Sequence, residues 1–444
     1  MNAAEAHPAL VADRAARRRA VEARLGAGVL VLPAAPLALA SRDTEHPYVA
    51  DRELYWLTGL TEPGTVAVLV GGAEPRLTIF ARERDAEAEL WAGPRLGVEG
   101  AGASSGADEA VPRAELSERL PALLADADRI HFRLGGVDAE VERLVVGALH
   151  RARDRGPRHG TGPRGVVDPG EALDDLRLVK DSSELASLRR AAEVTIAGHR
   201  AGAAVLGPGV GEWEVEAAVE ATFRSLGARR PGFETIAAAG AHGCVLHYVD
   251  NDARVPGGGL LLLDAGAEVD YYHGDVTRTL PASGRFSAPQ RDVYDAVLAA
   301  LRAAVAAVRP GATIGGVHDA AVRTLTAGLV DLGVLAGDVD TLVEEGAHRP
   351  FFPHQTSHWL GLDVHDPGDY ARDGASRRLE PGMVFTVEPG LYFRPEGGGD
   401  AAAAFEGIGV RIEDDVVVTA DGCEVLTAAL PTEPEEVESL VGAP

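Results

Sequence analysis

Runs of apolar residues alternate with helical patterns along the first part of the chain. Gly28–Leu32 is an unbroken apolar run that follows an amphipathic helical stretch, as expected for a buried first strand. Val66–Val70 and Leu77–Phe80 flank the turn sequence Gly71–Pro75, which predicts two neighbouring strands. Repeated strand and helix signals of this kind predict an α/β domain.

The second part of the chain is predicted to begin with a helix. Asp181 is a candidate N-cap, and Glu184 follows three residues later, which is the capping-box pattern. Another helix is predicted from about Gln290 to Val308, because Val, Ala and Leu recur there at every fourth position. Strand-rich sequence follows each helical region, so we expect an α/β (α+β) class for the chain.

The length of 444 residues predicts two domains, because a single hydrophobic core stops growing below that size. Residues 151–171 are rich in Arg, Gly and Pro, which disfavours a regular element and marks a candidate boundary. We therefore predict domains at residues 1–172 and 173–444. The alternative is a long surface loop within one domain.

Composition and charge narrow the possible functions. Hydrophobic residues make up 46% of the chain and charged residues 25%, which is typical of soluble globular proteins. The formal charge of −26 argues against a nucleic-acid-binding face. No apolar run reaches the ~18–20 residues of a membrane span. The two cysteines, Cys244 and Cys423, fit a reducing cytoplasm, which is the predicted location.

The amino-terminal region also imitates a secretion signal. Three arginines, Arg17–Arg19, precede the uncharged stretch Leu25–Ala40. Pro33 and Pro36 interrupt the apolar part, however, so a helix followed by a strand is the favoured interpretation.

Two aspartates follow strand-like sequence in residues 259–280. The apolar run Leu260–Leu263 ends in Asp264, and Asp275 comes eleven residues later. A hairpin of that length can place both carboxylates at one end of a sheet. A single aspartate after a strand is usually a turn residue or a helix cap, but two in such contexts favour a functional site.

Three histidines, His354, His358 and His365, lie within twelve positions among apolar and aromatic residues. A lone histidine there would most often belong to the core, whereas three favour a site. Pro353 and Gly361 argue against a metal-binding helix in this segment.

Two glutamates each follow an apolar run of strand type. Glu388 precedes Pro389, which ends the ladder of strand hydrogen bonds. Around Glu413, a period of two places Arg411 and Glu413 on the same strand face. A solvated face with an Arg–Glu pair is the alternative for this second segment.

Four carboxylates and one imidazole therefore form a candidate metal-binding set. Oxygen-rich sets of this kind suit hard or borderline divalent ions, Mn²⁺ in particular. Four charges of −1 balance two ions of +2, whereas four converging carboxylates without metal would repel one another. The set is Asp264, Asp275, His358, Glu388 and Glu413.

Motifs around these residues closely resemble the aminopeptidase P (Xaa-Pro aminopeptidase) family of the creatinase/methionine aminopeptidase, or pita-bread, superfamily. The order and spacing of the metal-binding segments match, and residues 41–64, 89–97 and 176–195 resemble further parts of the family. The matching metal-binding segments are DAGAEVDYYHGDVTRTLP (264–281), SHWLGLDVHD (357–366), MVFTVEPGLYF (383–393) and GIGVRIEDD (407–415).

This resemblance implies an amino-terminal α/β creatinase-like domain followed by a pita-bread metallopeptidase domain. It implies two divalent ions, Mn²⁺ first and Co²⁺ or Zn²⁺ as alternatives, with a bridging hydroxide as the nucleophile. Asp264 would bind one ion, His358 and Glu388 the other, and Asp275 and Glu413 would bridge them.

The resemblance also implies catalytic and substrate-binding residues. Glu388 would move the proton, His247 would stabilise the carbonyl oxygen, and Arg411 would orient carboxylates. His354 and His365 would contact the proline side of the substrate. Two further residues are implied near the substrate, Tyr392 and Trp91, the latter reaching the site of a neighbouring subunit in a tetramer. Gln355 departs from the family pattern, in which Gly is common, and is expected to narrow the proline pocket.

The expected function is hydrolysis of the bond between an N-terminal residue and a following proline, in a homo-oligomer (dimer or tetramer). One alternative is a prolidase, which cleaves only Xaa-Pro dipeptides with the same metals. The other is a non-catalytic binding protein with this fold, although such relatives commonly lose metal ligands.

Overall fold

The computed structural model describes residues 8–136, 138–155, 162–395 and 399–442. The chain divides into two compact units, Met1–Arg177 and Leu178–Pro444. Residues 156–161 of the predicted boundary segment lie outside the described ranges. The domain boundary at 172/173 stays a prediction.

The helices and strands are numbered in chain order. The α-helices are α1 (Pro8–Leu25), α2 (Arg52–Thr58), α3 (Ala86–Ala92), α4 (Gly97–Ser105), α5 (Leu116–Leu123), α6 (Ala139–Arg155), α7 (Gly170–Leu178), α8 (Ser182–Val205), α9 (Glu212–Ser225), α10 (Ala288–Ala307), α11 (Ile314–Asp331), α12 (Val339–Glu345), α13 (Gly399–Ala402) and α14 (Pro434–Leu440). The strands are β1 (Val29–Pro33), β2 (Val66–Val70), β3 (Arg76–Ala81), β4 (Glu109–Pro112), β5 (Ile130–His131), β6 (Val166–Val167), β7 (Arg230–Pro231), β8 (Ile236–Ala239), β9 (Leu260–Ala265), β10 (Ala267–Val269), β11 (Tyr272–His273), β12 (Val276–Pro281), β13 (Ala371–Arg372), β14 (Ala375–Ser376), β15 (Val384–Val387), β16 (Gly390–Tyr392), β17 (Gly409–Arg411), β18 (Asp414–Val418) and β19 (Cys423–Val425).

The first unit is built on a mixed sheet with the strand order β4-β3-β2-β1-β5-β6. β1 pairs antiparallel with β2, and β2 pairs antiparallel with β3, as the sequence predicts for the two runs around the turn at 71–75. Parallel pairs extend the sheet on both sides. Val31, Val68 and Phe80 are fully buried in the core between this sheet and its helices.

In the second unit, helix pairs pack with small antiparallel sheets and bury a large hydrophobic core. The predicted capping box opens α8, because Asp181 accepts from Glu184 N and the Glu184 side chain accepts from Asp181 N. α10 confirms the helix predicted at 290–308, and its apolar face, including Val293 and Val297, is buried. α8 packs on α9, and α10 packs on α11.

The sheets that carry the predicted site are β8-β9-β12, β15-β18-β19 and the pair β16-β17. β9 and β12 form the predicted antiparallel pair, with Thr277 opposite Asp264. The alternating pattern predicts one strand that carries both Arg411 and Glu413, but this prediction is wrong, because Glu413 lies between β17 and β18. The backbone leaves β17 at Ile412, because Glu413 N donates to Thr277 O at 3.1 Å before β18 begins.

None of the helices in the described ranges has the length and apolar character that a membrane span requires.

Candidate active site

Most of the predicted site residues of the second unit surround one cavity of about 460 Å³. Apolar side chains, among them Phe233, Ile236 and Leu246, form part of its wall. The wall also contains nine of the residues that the sequence predicts for the site. They are His247, Asp264, Asp275, His354, His358, His365, Glu388, Arg411 and Glu413.

Strand pairing brings the two aspartates together. Asp264 lies near the end of β9, and Asp275 directly precedes β12, the antiparallel partner of β9. Both residues are buried. The Asp275 backbone N–H donates to Asp415 Oδ2 at 3.1 Å, which fixes the entry into β12.

His358 lies in irregular backbone, as Pro353 and Gly361 predict. Its N–H donates to Thr386 Oγ1 at 3.2 Å on β15, which ties the histidine segment to that strand. The imidazole Nε2 lies 3.3 Å from Asp275 Oδ2 and 3.6 Å from Glu388 Oε1. This nitrogen therefore faces the carboxylates.

The two glutamates reach the cavity from strand ends. Glu388 follows β15, and Pro389 separates β15 from β16, as predicted. Glu413 lies between β17 and β18 and is buried. Asp275, His358 and Glu413 each offer a ligand atom within 4.8 Å of the other two, the spacing of a possible metal site.

Arg411 connects several of these groups. Its guanidinium donates to Asp264 Oδ2 at 2.5 Å, to Thr277 Oγ1 at 3.0 Å and to the Tyr392 hydroxyl at 3.1 Å. Thr277 Oγ1 in turn donates to Glu413 Oε2 at 2.7 Å. One buried cation and one hydroxyl therefore orient two of the predicted ligands.

Burial and mutual repulsion shift the carboxylate pKa values in the absence of metal. Burial, followed by the charge of Asp275, raises the pKa of Asp264 to about 6, although the nearby Arg411 lowers it. Burial likewise raises the pKa of Glu388 to about 7. The pKa of Glu413 is raised well above its usual value by burial and by the charges of Asp275 and Glu388. The negative charge of the ionised carboxylates would therefore exceed the positive charge that the surrounding side chains supply.

The imidazole of His358 responds in the opposite sense. Burial lowers its pKa, but the hydrogen bond and charge of Asp275, with the charge of Glu388, outweigh burial and raise the pKa to about 9. Without metal, His358 is therefore protonated near pH 7, and its positive charge offsets part of the carboxylate charge.

The donor set fits divalent metal. Asp264 Oδ1 is buried and has no hydrogen-bond partner among the described residues, so an acceptor atom in this wall lacks a donor. Carboxylate oxygens and one imidazole nitrogen are ligands that hard or borderline divalent ions prefer. Such ions would also compensate the excess negative charge.

The other histidines occupy different positions in the wall. His354 Nε2 lies 2.8 Å from the Tyr392 hydroxyl, and its Nδ1 lies 2.7 Å from Gln355 O. Burial and the charge of Arg411 lower the pKa of His354 to about 4, so the ring is neutral near pH 7. A neutral ring that donates from Nδ1 to the carbonyl accepts from Tyr392 at Nε2. His365 packs edge-on against His358, with ring centroids 4.4 Å apart.

Two predicted substrate-binding residues are not in the cavity wall. Tyr392 is fully buried, and its hydroxyl contacts His354 and Arg411, which do line the cavity. This placement favours a positioning role for Tyr392 over direct contact. Trp91 lies on α3 of the first unit and is 85% exposed.

Sequence reasoning assigned no role to Thr277 or Asp415. Thr277 shares a strand face with Asp275, a relationship that the period of two could have indicated. Asp415 is buried behind Asp275, and burial together with the charge of Asp275 raises its pKa well above the usual range. This contact was not predictable from the local pattern, because it joins residues 140 positions apart in the chain.

Family models match both parts of the chain. The model of metallopeptidase family M24 matches residues 186–420, and the model of the aminopeptidase P N-terminal domain matches residues 14–131. The first matched range contains every cavity residue named above.

Similar proteins match over nearly the full chain. Xaa-Pro aminopeptidase of Escherichia coli is 41% identical over 431 residues, which cover 96% of this chain and 97% of that protein. Xaa-Pro aminopeptidase 1 of Streptomyces coelicolor is 39% identical over 453 residues, which cover 98% of this chain and 88% of that protein. The solved structure of Pseudomonas aeruginosa aminopeptidase PepP matches with a TM-score of 0.92 and 43% identity, over 97% of each chain. A zinc-substituted E. coli aminopeptidase P in complex with product matches with a TM-score of 0.91 and 40% identity, over 98% of each chain.

Proposed function

Because the chain belongs to metallopeptidase family M24 and carries the N-terminal domain of aminopeptidase P, we propose that it releases an N-terminal residue from peptides with proline at the second position. The reaction is hydrolysis of the peptide bond before that proline. Relatives of about 40% identity named Xaa-Pro aminopeptidase support this substrate class.

The clustering of the predicted ligands supports metal-dependent catalysis. Asp275, His358 and Glu413 bring ligand atoms within 4.8 Å of one another in a cavity that Asp264 and Glu388 also line. A non-catalytic binding protein has no need to keep such a set of buried, mutually repelling carboxylates. This cluster therefore favours a metallopeptidase over a binding protein with the same fold.

Divalent metal ions are the cofactor that the family implies. We propose two ions, with Mn²⁺ as the physiological metal and Co²⁺ or Zn²⁺ as substitutes, held by Asp264, Asp275, His358, Glu388 and Glu413. When bound, the ions supply Lewis-acid polarisation of the scissile carbonyl and lower the pKa of the attacking water.

The chain's own residues position the peptide and move the proton. Glu388 accepts a proton from the attacking water and delivers it to the proline nitrogen as the bond breaks. His247 donates a hydrogen bond to the carbonyl oxygen, where negative charge develops. His354 and His365 contact the proline side, and Arg411 keeps Asp264 oriented.

Proline explains why a dedicated site is needed. Its nitrogen has no N–H, and its ring restricts the residue before it, so a site that recognises an ordinary backbone N–H is unsuitable. Gln355 lies in the cavity wall beside His354. We therefore propose that its side chain narrows the pocket for the substrate proline.

The rival activity is that of a prolidase, and the length of accepted peptides separates the two. We expect the metal-loaded protein to cleave Ala-Pro-Ala efficiently and to prefer it over the dipeptide Ala-Pro. Cleavage of Ala-Pro without cleavage of any tripeptide would replace the proposal with a prolidase. If neither peptide is cleaved and Glu388→Gln changes nothing, the binding-protein alternative is favoured.

We further propose a cytoplasmic homotetramer in which Trp91 reaches the site of a neighbouring subunit. The exposure of this indole supports a contact with a second copy. The molar mass in solution of the wild type and of Trp91→Ala tests this part, and a monomeric wild type would contradict it.

A further inference from the structure

We infer that Glu212 is a positioning residue that holds His247 in the cavity wall. The inference rests on the proposed function, because it concerns the hydrogen bond that His247 supplies to the substrate. Glu212 begins α9 and does not itself line the cavity. It acts through the segment 239–253, which carries His247.

The Glu212 carboxylate is the hydrogen-bonding centre of that segment. Its side chain is fully buried. Oε1 accepts from Ala239 N at 2.7 Å and lies 3.0 Å from His242 Nδ1. Oε2 accepts from the Tyr248 hydroxyl at 2.9 Å and from Ala253 N at 2.8 Å. The four partners are distributed along the segment, so a single carboxylate fastens its beginning, middle and end.

Regular secondary structure does little to hold the middle of this segment. A short 3-10 helix covers Gly240–Cys244, and the described residues 245–253 belong to neither a helix nor a strand. Glu212 N also donates to Ala253 O at 2.9 Å, so side chain and backbone of Glu212 hold the same residue. The segment therefore depends on side-chain anchors.

His247 needs such anchors because its own ring has none. The imidazole is exposed in the cavity wall and makes no hydrogen bond to another described residue. Tyr248, the next residue, is buried and bonded to Glu212, and its ring packs on His242 with centroids 4.2 Å apart. The position of His247 is thus set by its backbone, and Tyr248 sets that backbone.

The same face of α9 offers a matched comparison. Glu216 and Glu220 follow Glu212 at intervals of four residues and share its side of the helix. Glu216 accepts from Asn251 Nδ2 at 3.0 Å, within the segment. Glu220 instead accepts from Thr235 Oγ1 at 3.0 Å, outside the segment. Glu220→Gln therefore makes the same chemical change without touching the anchor of His247.

The test is a double-mutant cycle on the metal-loaded, full-length protein with an Ala-Pro-Ala substrate. Glu212→Gln replaces one of the two acceptor oxygens with an NH2 group, so either the pair Tyr248 and Ala253 or, with the amide turned over, Ala239 loses its acceptor. Tyr248→Phe removes only the hydroxyl and is the milder variant if Glu212→Gln does not fold. Each is made alone and together with His247→Ala, and kcat, KM, metal content and Tm are measured.

We expect Glu212→Gln to lower kcat/KM by about 10- to 100-fold, chiefly through kcat, because a displacement near 1 Å can cost that much. Tyr248→Phe should act in the same direction by roughly 3- to 10-fold. In the His247→Ala background, Glu212→Gln and Tyr248→Phe should each lower kcat/KM by less than about twofold, because both act through His247. Glu220→Gln should leave kcat/KM within about twofold in either background.

Equal losses with and without His247 would overturn the inference and leave Glu212 with a purely structural role. Unchanged kinetics of both Glu212→Gln and Tyr248→Phe, or a fully active His247→Ala, would overturn it as well. A wild-type protein that cleaves no Xaa-Pro peptide would instead refute the proposed function. The two failures are therefore distinguishable.

Discussion

Arg411 donates a hydrogen bond to Asp264 Oδ2 at 2.5 Å, and both side chains are largely buried. The remaining guanidinium nitrogens reach Thr277 and Tyr392, so each of the three nitrogens makes a hydrogen bond to a different side chain. Asp264 is thereby held toward the other carboxylates despite their repulsion. The geometry of the candidate metal site depends on this cation.

Arg411→Lys tests that dependence, because lysine keeps the charge and loses the fork. We expect metal affinity and kcat/KM to fall by about 10- to 100-fold, as for other groups that orient metal ligands. Calorimetric titration with Mn²⁺ and steady-state kinetics measure the two effects. Arg378→Lys is the control, since the Arg378 side chain donates to Gly311 O at an exposed position away from the cavity wall. Unchanged metal affinity in Arg411→Lys would contradict this account of Asp264.

Thr277→Val removes the hydroxyl that joins Arg411 to Glu413 and nearly preserves side-chain shape. A buried acceptor that loses its donor costs about 1–3 kcal/mol, so Glu413 should lose its fixed orientation. We expect Mn²⁺ affinity to fall about tenfold. Thr326→Val is the control, because the Thr326 hydroxyl is equally buried but bonds Val322 O within α11. Similar Mn²⁺ affinities for the two variants would argue against a role for Thr277.

The sequence predicted these strands better than it predicted the contacts between them. The run before Asp264 and the hairpin to Asp275 follow from local apolar pattern and turn residues, and both are present in the structure. The break between Arg411 and Glu413 was not predictable, because it arises when Glu413 N bonds Thr277 in another strand. The buried position of Tyr392 likewise depends on partners far along the chain.

Local pattern also conceals the role of acidic residues on α9. Glu212 looks like an ordinary acidic residue in the first turn of a helix, where the helix dipole favours it. Only the tertiary structure brings Ala239, Tyr248 and Ala253 to its carboxylate. The role of Glu212 therefore becomes visible only in the folded structure.

The pH dependence of stability provides a separate test of Glu388. Its pKa rises from 4.5 to about 7, chiefly through burial, with added repulsion from Asp275 and Asp264 against the lowering charges of His358 and Arg411. The folded state therefore holds this proton more tightly than the unfolded chain does. The resulting stabilisation is present below pH 4.5 and is lost as the pH rises to about 7.

We therefore expect the metal-free wild type to lose stability relative to Glu388→Gln across that pH interval, by at most about 3 kcal/mol. Urea unfolding after chelation, at a series of pH values, measures the difference. Saturating Mn²⁺ should reverse the trend in the wild type, because metal binds the ionised carboxylate. Parallel stability profiles for the two metal-free proteins would contradict the raised pKa of Glu388.

Metal content and proline-specific cleavage should rise and fall together in one purified sample. Metal analysis and kcat/KM for Ala-Pro-Ala and Ala-Ala-Ala are measured before chelation, after chelation and after Mn²⁺ is restored. The predicted result is cleavage of Ala-Pro-Ala in strong preference to Ala-Ala-Ala, its loss on chelation, and its return with bound Mn²⁺. Proline-specific cleavage that survives complete removal of metal, or restored metal without any cleavage of Ala-Pro-Ala, would contradict a metal-dependent Xaa-Pro aminopeptidase.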